Sequence, residues 1–197
     1  MLQLYSYFRS SAAYRLRIAL HLKGLAYDTV PVHLLKDGGQ QLHSTFRAVN
    51  PAALVPALQD DGETLTQSLA IMEYLEETHP QPPLLPADAP GRARVRALAL
   101  TVACDIHPLN NLRVLNYLSD ELQATAEARK AWARHWITLG FSALEAHLAH
   151  SPHTAMFCHG DTPTLADCCL VPQVFSGRRF DVDMAPYPTL ARIAQHC

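Results

Sequence analysis

Near the N-terminus the spacing of apolar residues changes period once. Through "LQLYS" apolar and polar positions alternate, the two-residue repeat of a half-buried strand. Beyond it Ala12, Leu16, Ala19 and Leu20 fall at i, i+4, i+7 and i+8, which predicts an amphipathic helix with its stripe toward a core. Tyr14, Arg17 and His21 take the opposite side, and Gly24 is placed to stop the helix. "YDTVPV" reads as a second strand, and "GGQQLHSTFRAVN" as a loop running into a short helix that closes before Pro51. "LVPAL" and "ETLTQ" flank a "DDG" turn, the signal of a hairpin. "SLAIMEYLEETH" predicts a further helix, with Leu69, Met72 and Leu75 inward and the acidic residues behind. Residues 1–79 therefore read β-α-β-α-β-β-α.

The segment "PQPPLLPADAP" holds five prolines in eleven residues, a composition that disfavours helix and strand and marks residues 80–90 as a linker. After it the pattern becomes helical throughout. Residues 91–119 and 125–150 read as two long helices rich in Ala, Leu and Arg, and a third begins near Thr164. The expectation is a small α/β domain over 1–79 and an all-helical domain over 91–197.

Composition narrows the chemistry. A hydrophobic share of 49%, with 17% charged residues and a net charge of -2, describes a globular protein without the basic stripe of a nucleic-acid binder. Cys104, Cys158, Cys168, Cys169 and Cys197 form no C-x-x-C pair, which points to reduced thiols and no metal cluster. The histidines are scattered without a metal-ligand spacing. No segment has the pattern of a secretory leader, and no uninterrupted apolar stretch approaches the roughly 18 residues of a membrane span. A cytoplasmic protein is expected.

Three segments could carry chemistry. At Arg9, Ser10 and Ser11 two hydroxyls follow an arginine at a strand-to-helix step, where one capping hydroxyl would suffice. Backbone N–H groups at a helix start favour an anion, so the step either caps the helix or holds a thiolate or carboxylate. In "NPAALVPAL" Pro56 is either trans in an ordinary turn or cis, exposing the Val55 backbone to an extended peptide. "TQSLAI" places Gln67 and Ser68 at a helix start, either as a plain cap or as a second carboxylate seat. "TPTLADCCL", by contrast, reads as a capping box between Thr164 and Asp167, with Cys168 and Cys169 entering a buried helix. Trp132 and Trp136 read as packing.

In this order the segments resemble the glutathione transferases. "LYSYFRSSAAYRLRIALHLKG", "KDGGQQ", "NPAALVPAL", "QSLAIMEYLEETHPQPPLLP" and "CDIHPLNNLRVL" are similar to the zeta class, over essentially the whole chain. The resemblance implies an α/β thioredoxin-like N-terminal domain plus an all-α C-terminal domain, with glutathione as cofactor. The class includes the maleylpyruvate and maleylacetoacetate isomerases. The implied reaction is therefore cis–trans isomerisation of a small dicarboxylate by reversible thiolate addition, in the breakdown of aromatic compounds.

The resemblance also implies roles. Ser10, the first serine of the class's S-S-C motif, would assist the glutathione thiolate, with Ser11 and Arg15 in the same glutathione-contacting segment. Gln41 would reach the glycyl end, Val55 would pair with the cysteinyl backbone, and Gln67 with Ser68 would hold the γ-glutamyl end. From the helical half, His107, Asn111 and Arg113 are implied in glutathione binding; His107 serves either there or in polarising the substrate carbonyl. Arg9 and Arg179 are implied for the substrate carboxylates, which guanidinium groups bind in fixed bidentate geometry, with Arg178 as a surface neighbour. A homodimer is expected.

One departure stands out. The motif's cysteine is Ala12 here, which puts thiol transfer in doubt and leaves isomerisation open. His107 in "DIHPLNN" resembles the maleylpyruvate branch. Two other readings remain at this point: a transferase that conjugates or dehalogenates small electrophiles, and a non-catalytic glutathione-binding protein.

Overall fold

Alternation gives β1 (Leu2–Ser6) two faces. Leu2, Leu4 and Ser6 are buried, while Tyr5 turns the other way and meets the Phe46 ring at a centroid distance of 5.9 Å. The computed structural model describes residues 1–197 and divides into two units, Met1–Leu84 and Leu85–Cys197.

In the first unit β1 is followed by α1 (Ser11–Leu22), β2 (Tyr27–Pro31), α2 (Ser44–Val49), β3 (Ala57–Asp60), β4 (Glu63–Thr66) and α3 (Ser68–Thr78). The sheet order is β2-β1-β3-β4, with β1 parallel to β2 and antiparallel to β3, and β3 antiparallel to β4. Helices α1 and α3 pack together, and Leu16, Ala19, Leu20, Ile71, Met72 and Leu75 on them are all without solvent exposure. A smaller cluster gathers Tyr7, Val32, Phe46 and Val55.

Two details of the helical faces differ from the sequence expectation. In α1 the buried residues are Ala13, Arg15, Leu16, Ala19 and Leu20, so the stripe runs through Ala13 and takes in Arg15, while Ala12 is half-exposed. In α3 Glu76 lies inside with Ile71, Met72 and Leu75, and Leu69 is half-buried. Both exceptions are charged residues with internal hydrogen-bond partners, which apolar periodicity cannot reveal.

The second unit contains α4 (Ala89–Leu100), α5 (Leu112–Asp120), α6 (Ala126–Ala149), α7 (Leu165–Arg179) and α8 (Pro188–His196). The long helix expected over 91–119 is broken. After α4 the chain widens into a π-helical turn at Thr101–Ile106 and tightens into a 3₁₀ turn at His107–Asn110 before α5 begins. Pro108 has no N–H to return to the Cys104 carbonyl, so the regular ladder fails there. The capping box at the start of α7 is present. The Asp167 carboxylate accepts from the Thr164 N–H and hydroxyl and from the Cys158 N–H, each at 2.8 Å.

The broken segment is seated on α6 at two points, Trp132 and Gly140, and is braced internally through Asn110. Trp132 Nε1 donates to the Leu109 carbonyl at 2.7 Å, and Asn110 Nδ2 donates to the Ile106 carbonyl at 2.9 Å. At Gly140 a Cβ would lie 2.3 Å from Ile106 Cδ1, so only glycine admits Ile106 this closely. Gly140→Ala is expected to cost about 1–3 kcal/mol through overpacking, despite the roughly 1 kcal/mol of helix propensity gained. A lowered urea midpoint measures this; an unchanged midpoint would show that Ile106 repacks freely.

No helix is long and apolar enough to cross a membrane.

Candidate active site

The step from β1 into α1 is built around Ser10. Its backbone is extended and its Oγ accepts from the Ala13 N–H at 3.1 Å, so it is the N-cap of α1. A hydroxyl that accepts in this way still has its own proton to donate. Capping and donation to an anion are thus compatible at one atom. Ser11 opens the helix and is half-buried. Arg9 is exposed, with its guanidinium 5.7 Å from the centre of the exposed Phe8 ring.

Arg17 holds this step in shape. Its Nη1 donates to Ser6 Oγ at 2.9 Å and to the Tyr7 carbonyl at 3.4 Å, and its Nη2 donates to the Phe8 carbonyl at 3.3 Å. Sequence reasoning placed Arg17 on an outer helix face. Only the fold brings that face back over the loop ahead of its own helix.

Two further candidates of the first unit, Val55 and Gln41, lie near Tyr7 through its cluster and through His33. Val55 shares its cluster and precedes β3, beyond the β1–β3 ladder that ends at Tyr5↔Ala57. The Val55–Pro56 peptide is cis. His33 packs edge-on against Tyr7 at 4.9 Å, and its backbone N–H donates to Gln40 Oε1 at 2.8 Å. That bond fixes the 3₁₀ turn Gln40–Leu42, in which Gln41 has a buried Oε1 without a hydrogen-bond partner. Gly39 beside it sits at φ +96°, a backbone conformation that favours glycine over any residue with a Cβ.

Gln67 and Ser68 form the turn from β4 into α3. Gln67 is exposed at φ +68°, the left-handed region, while Ser68 is buried as the first residue of the helix. Arg15 reaches Ser68 from α1, its Nη1 donating to Ser68 Oγ at 3.2 Å. The sequence could not show this bond, which joins residues 53 apart.

In the second unit His107, Asn111 and Arg113 fall within one short stretch. Asn111 is the N-cap of α5; its Oδ1 accepts from the Arg113 N–H at 3.2 Å and its Nδ2 lies 3.5 Å from His107 Nε2. Arg113 is exposed. Arg179 comes from a different element, as the last residue of α7, and is exposed, as is its neighbour Arg178. Exposure does not separate these two arginines.

Three of the protein's five thiols are poor candidates for the nucleophile. Burial pushes the Cys158 and Cys168 thiols well above the ordinary range, and the Cys197 thiol up to about 11. All three are therefore protonated near neutral pH, and a protonated thiol is a weak nucleophile.

The chain joins a four-stranded sheet, whose first helix is capped by a serine, to a helical unit. The chain belongs to the glutathione S-transferase family: the family model of the N-terminal domain matches residues 4–83 and that of the C-terminal domain residues 123–193. Among curated relatives, a maleylpyruvate isomerase from Ralstonia sp. is 53% identical over 196 residues, spanning 100% of this chain and 92% of the relative. The fold is similar to the holo structure of maleyl pyruvate isomerase, a bacterial zeta-class glutathione-S-transferase, with a TM-score of 0.96 and 53% identity over 99% of this chain and 91% of the other. It is also similar to maleylacetoacetate isomerase from Methylobacterium extorquens AM1 with bound malonate and glutathione, with a TM-score of 0.93 and 44% identity over 98% and 90% of the two chains.

Proposed function

We propose that this protein is a zeta-class, glutathione-dependent cis–trans isomerase that converts maleylpyruvate or maleylacetoacetate to the fumaryl isomer. The observation that carries the reading is the Ser10 hydroxyl, held as an acceptor by the Ala13 N–H with its proton left to donate outward. Glutathione suits the first unit, because Gln41 Oε1 and two nitrogens of Arg15 are buried polar atoms without partners. Its binding residues are Ser10, Ser11, Gln41, Val55, Gln67 and Ser68, with Arg15 behind Ser68, and His107, Asn111 and Arg113 from the second unit.

Bound glutathione supplies the thiolate that adds reversibly to the cis alkene and departs after rotation about the resulting single bond. The protein's part is to favour the charged thiol and to hold the acid. Ser10 stabilises the thiolate by donating its proton in a hydrogen bond. That effect is bounded: an ordinary thiol with a pKa of about 8.5 is a few per cent ionised near pH 7, so Ser10 contributes at most ~30-fold. Enzymes commonly reach a million-fold or more, so most of the acceleration comes from positioning the substrate and stabilising its developing enolate. Arg9 and Arg179 take the carboxylates, and His107 polarises the carbonyl or completes the glutathione site. His107 and Ala12 together favour maleylpyruvate over maleylacetoacetate. The working form is a cytoplasmic homodimer.

The test mixes the purified protein with maleylpyruvate, with and without glutathione, follows the ultraviolet absorbance and identifies the product by NMR, with maleylacetoacetate alongside. Glutathione-dependent formation of the trans isomer is expected. Bound glutathione with no turnover of either acid would shift the assignment to a conjugating transferase. Arg179→Ala should lower isomerisation about tenfold, the worth of one charged hydrogen-bonded contact, while glutathione affinity stays within about twofold. A collapse of glutathione binding in that variant would remove Arg179 from the acid.

A further inference from the structure

Arg15 is 2% exposed, yet it carries a guanidinium with five N–H donors and no acceptor. One donor is used, from Nη1 to Ser68 Oγ, while Nε and Nη2 have no hydrogen-bond partner. A buried cation in this condition is costly unless an anion comes near. The place where it points is the start of α3, an eleven-residue helix whose first N–H groups carry partial positive charge. Because the guanidinium can only donate, the Ser68 oxygen must accept from it. The Ser68 proton is thereby committed to some other acceptor.

We propose that Arg15 is a positioning residue for the carboxylate of the γ-glutamyl end of glutathione. It locks the Ser68 hydroxyl as a donor and places a buried positive charge behind the α3 N-terminus, making this spot selective for a carboxylate over a neutral group. The inference rests on the reading above that Gln67 and Ser68 hold that end of the cofactor. Arg15 thus acts through Ser68, which explains why a glutathione-side arginine is buried.

The test compares two ligands by calorimetric titration of the intact protein without substrate. One is glutathione; the other is γ-aminobutyryl-cysteinylglycine, which keeps the amine and lacks only the α-carboxylate. The unmodified protein should bind glutathione more tightly, by about tenfold or more, as expected for a charged hydrogen-bonded contact. Arg15→Met should erase most of that preference by weakening glutathione alone, with the analogue's affinity held within about twofold. If Arg15→Met does not fold, as judged by circular dichroism, Arg15→Lys serves. It retains the charge without the planar fork and should show a reduced preference with unchanged binding of the analogue.

A purely structural arginine would weaken both ligands by the same factor, and that result overturns the proposal. If the unmodified protein does not distinguish the two ligands, the placement of the γ-glutamyl end at Ser68 fails first and the role of Arg15 fails with it. That outcome is visible before any substitution is made, so the two failures are separable.

Discussion

Lys23→Met is expected to remove about 3–5 kcal/mol of stability, the usual cost of breaking a buried ion pair by deleting one partner. Lys23 Nζ donates to Glu76 Oε2 at 2.8 Å, to the His79 carbonyl at 2.8 Å and to the Pro82 carbonyl at 3.1 Å. Its three protons are thus all used, and the side chains of the pair are 0% and 8% exposed. The Glu76 carboxylate also accepts from the Leu84 N–H at 3.0 Å. One ammonium therefore ties the end of α1 to α3 and to the proline-rich segment that follows. Methionine preserves much of the stem volume but takes the ammonium away from a buried carboxylate and two carbonyls. Since whole-protein stability is commonly about 5–15 kcal/mol, the urea midpoint should fall steeply.

Neutralising the carboxylate that faced Lys23 should recover part of the loss. Glu76→Gln keeps an oxygen for the Leu84 N–H while removing the negative charge that Lys23 balanced, so Lys23→Met/Glu76→Gln should be more stable than Lys23→Met alone. A single-variant cost below about 1 kcal/mol would mean that the pair behaves like a solvated surface bridge. A double variant no better than the single would assign the loss to the His79 and Pro82 carbonyls instead.

The order of strands and helices in the first unit, like the start of α7 in the second, was readable because the signals are local. The period change at Ser10, the hairpin turn at "DDG" and the capping box at Thr164 each lie within a few residues of the element they define. The elements that escaped depend on distant partners. α8 has no local side-chain cap; the Thr189 and Leu190 N–H groups instead bond to the Glu145 carboxylate of α6 at 2.9 and 3.0 Å. Pro188 at its first position was the one local clue. The break at Thr101–Asn110 was signalled by Pro108, but its helical surroundings concealed the π turn.

The candidate site divides along the same line. Ser10, Gln67 and Ser68 announce themselves as helix starts, and a helix start is a recognisable anion seat. Arg15 and Lys23 both look like surface residues in an amphipathic pattern, and both are buried against α3 partners 53 residues away. Pattern reading assigns charges to solvent by default. A buried charge becomes visible only once the fold supplies the acceptor.

Ser10→Gly is expected to separate the two duties of one hydroxyl. As the N-cap of α1, Ser10 accepts from the Ala13 N–H, and its loss to alanine should cost about 0.5–2 kcal/mol, while glycine costs only a few tenths. Both substitutions remove the proton that Ser10 would donate to the glutathione thiolate. Hydrogen bonding to the charged form lowers a pKa, so its removal should return the bound thiol toward about 8.5. Near pH 7 the thiolate fraction then drops by as much as ~30-fold, and isomerisation should fall with it, moderated by the higher nucleophilicity of the less acidic thiol. As pH rises past the restored pKa, variant and parent should converge, because both thiols are then ionised. The thiolate's ultraviolet absorbance, titrated in each protein with bound glutathione, measures the shift directly, and thermal melts report the cap. Ser10→Gly should therefore melt close to the parent and still show the raised pKa. Ser10→Ala should lose stability and show the same pKa. If Ser10→Gly leaves the titration unmoved, Ser10 is a cap alone, and the thiolate must owe its charge to the free N–H groups of α1.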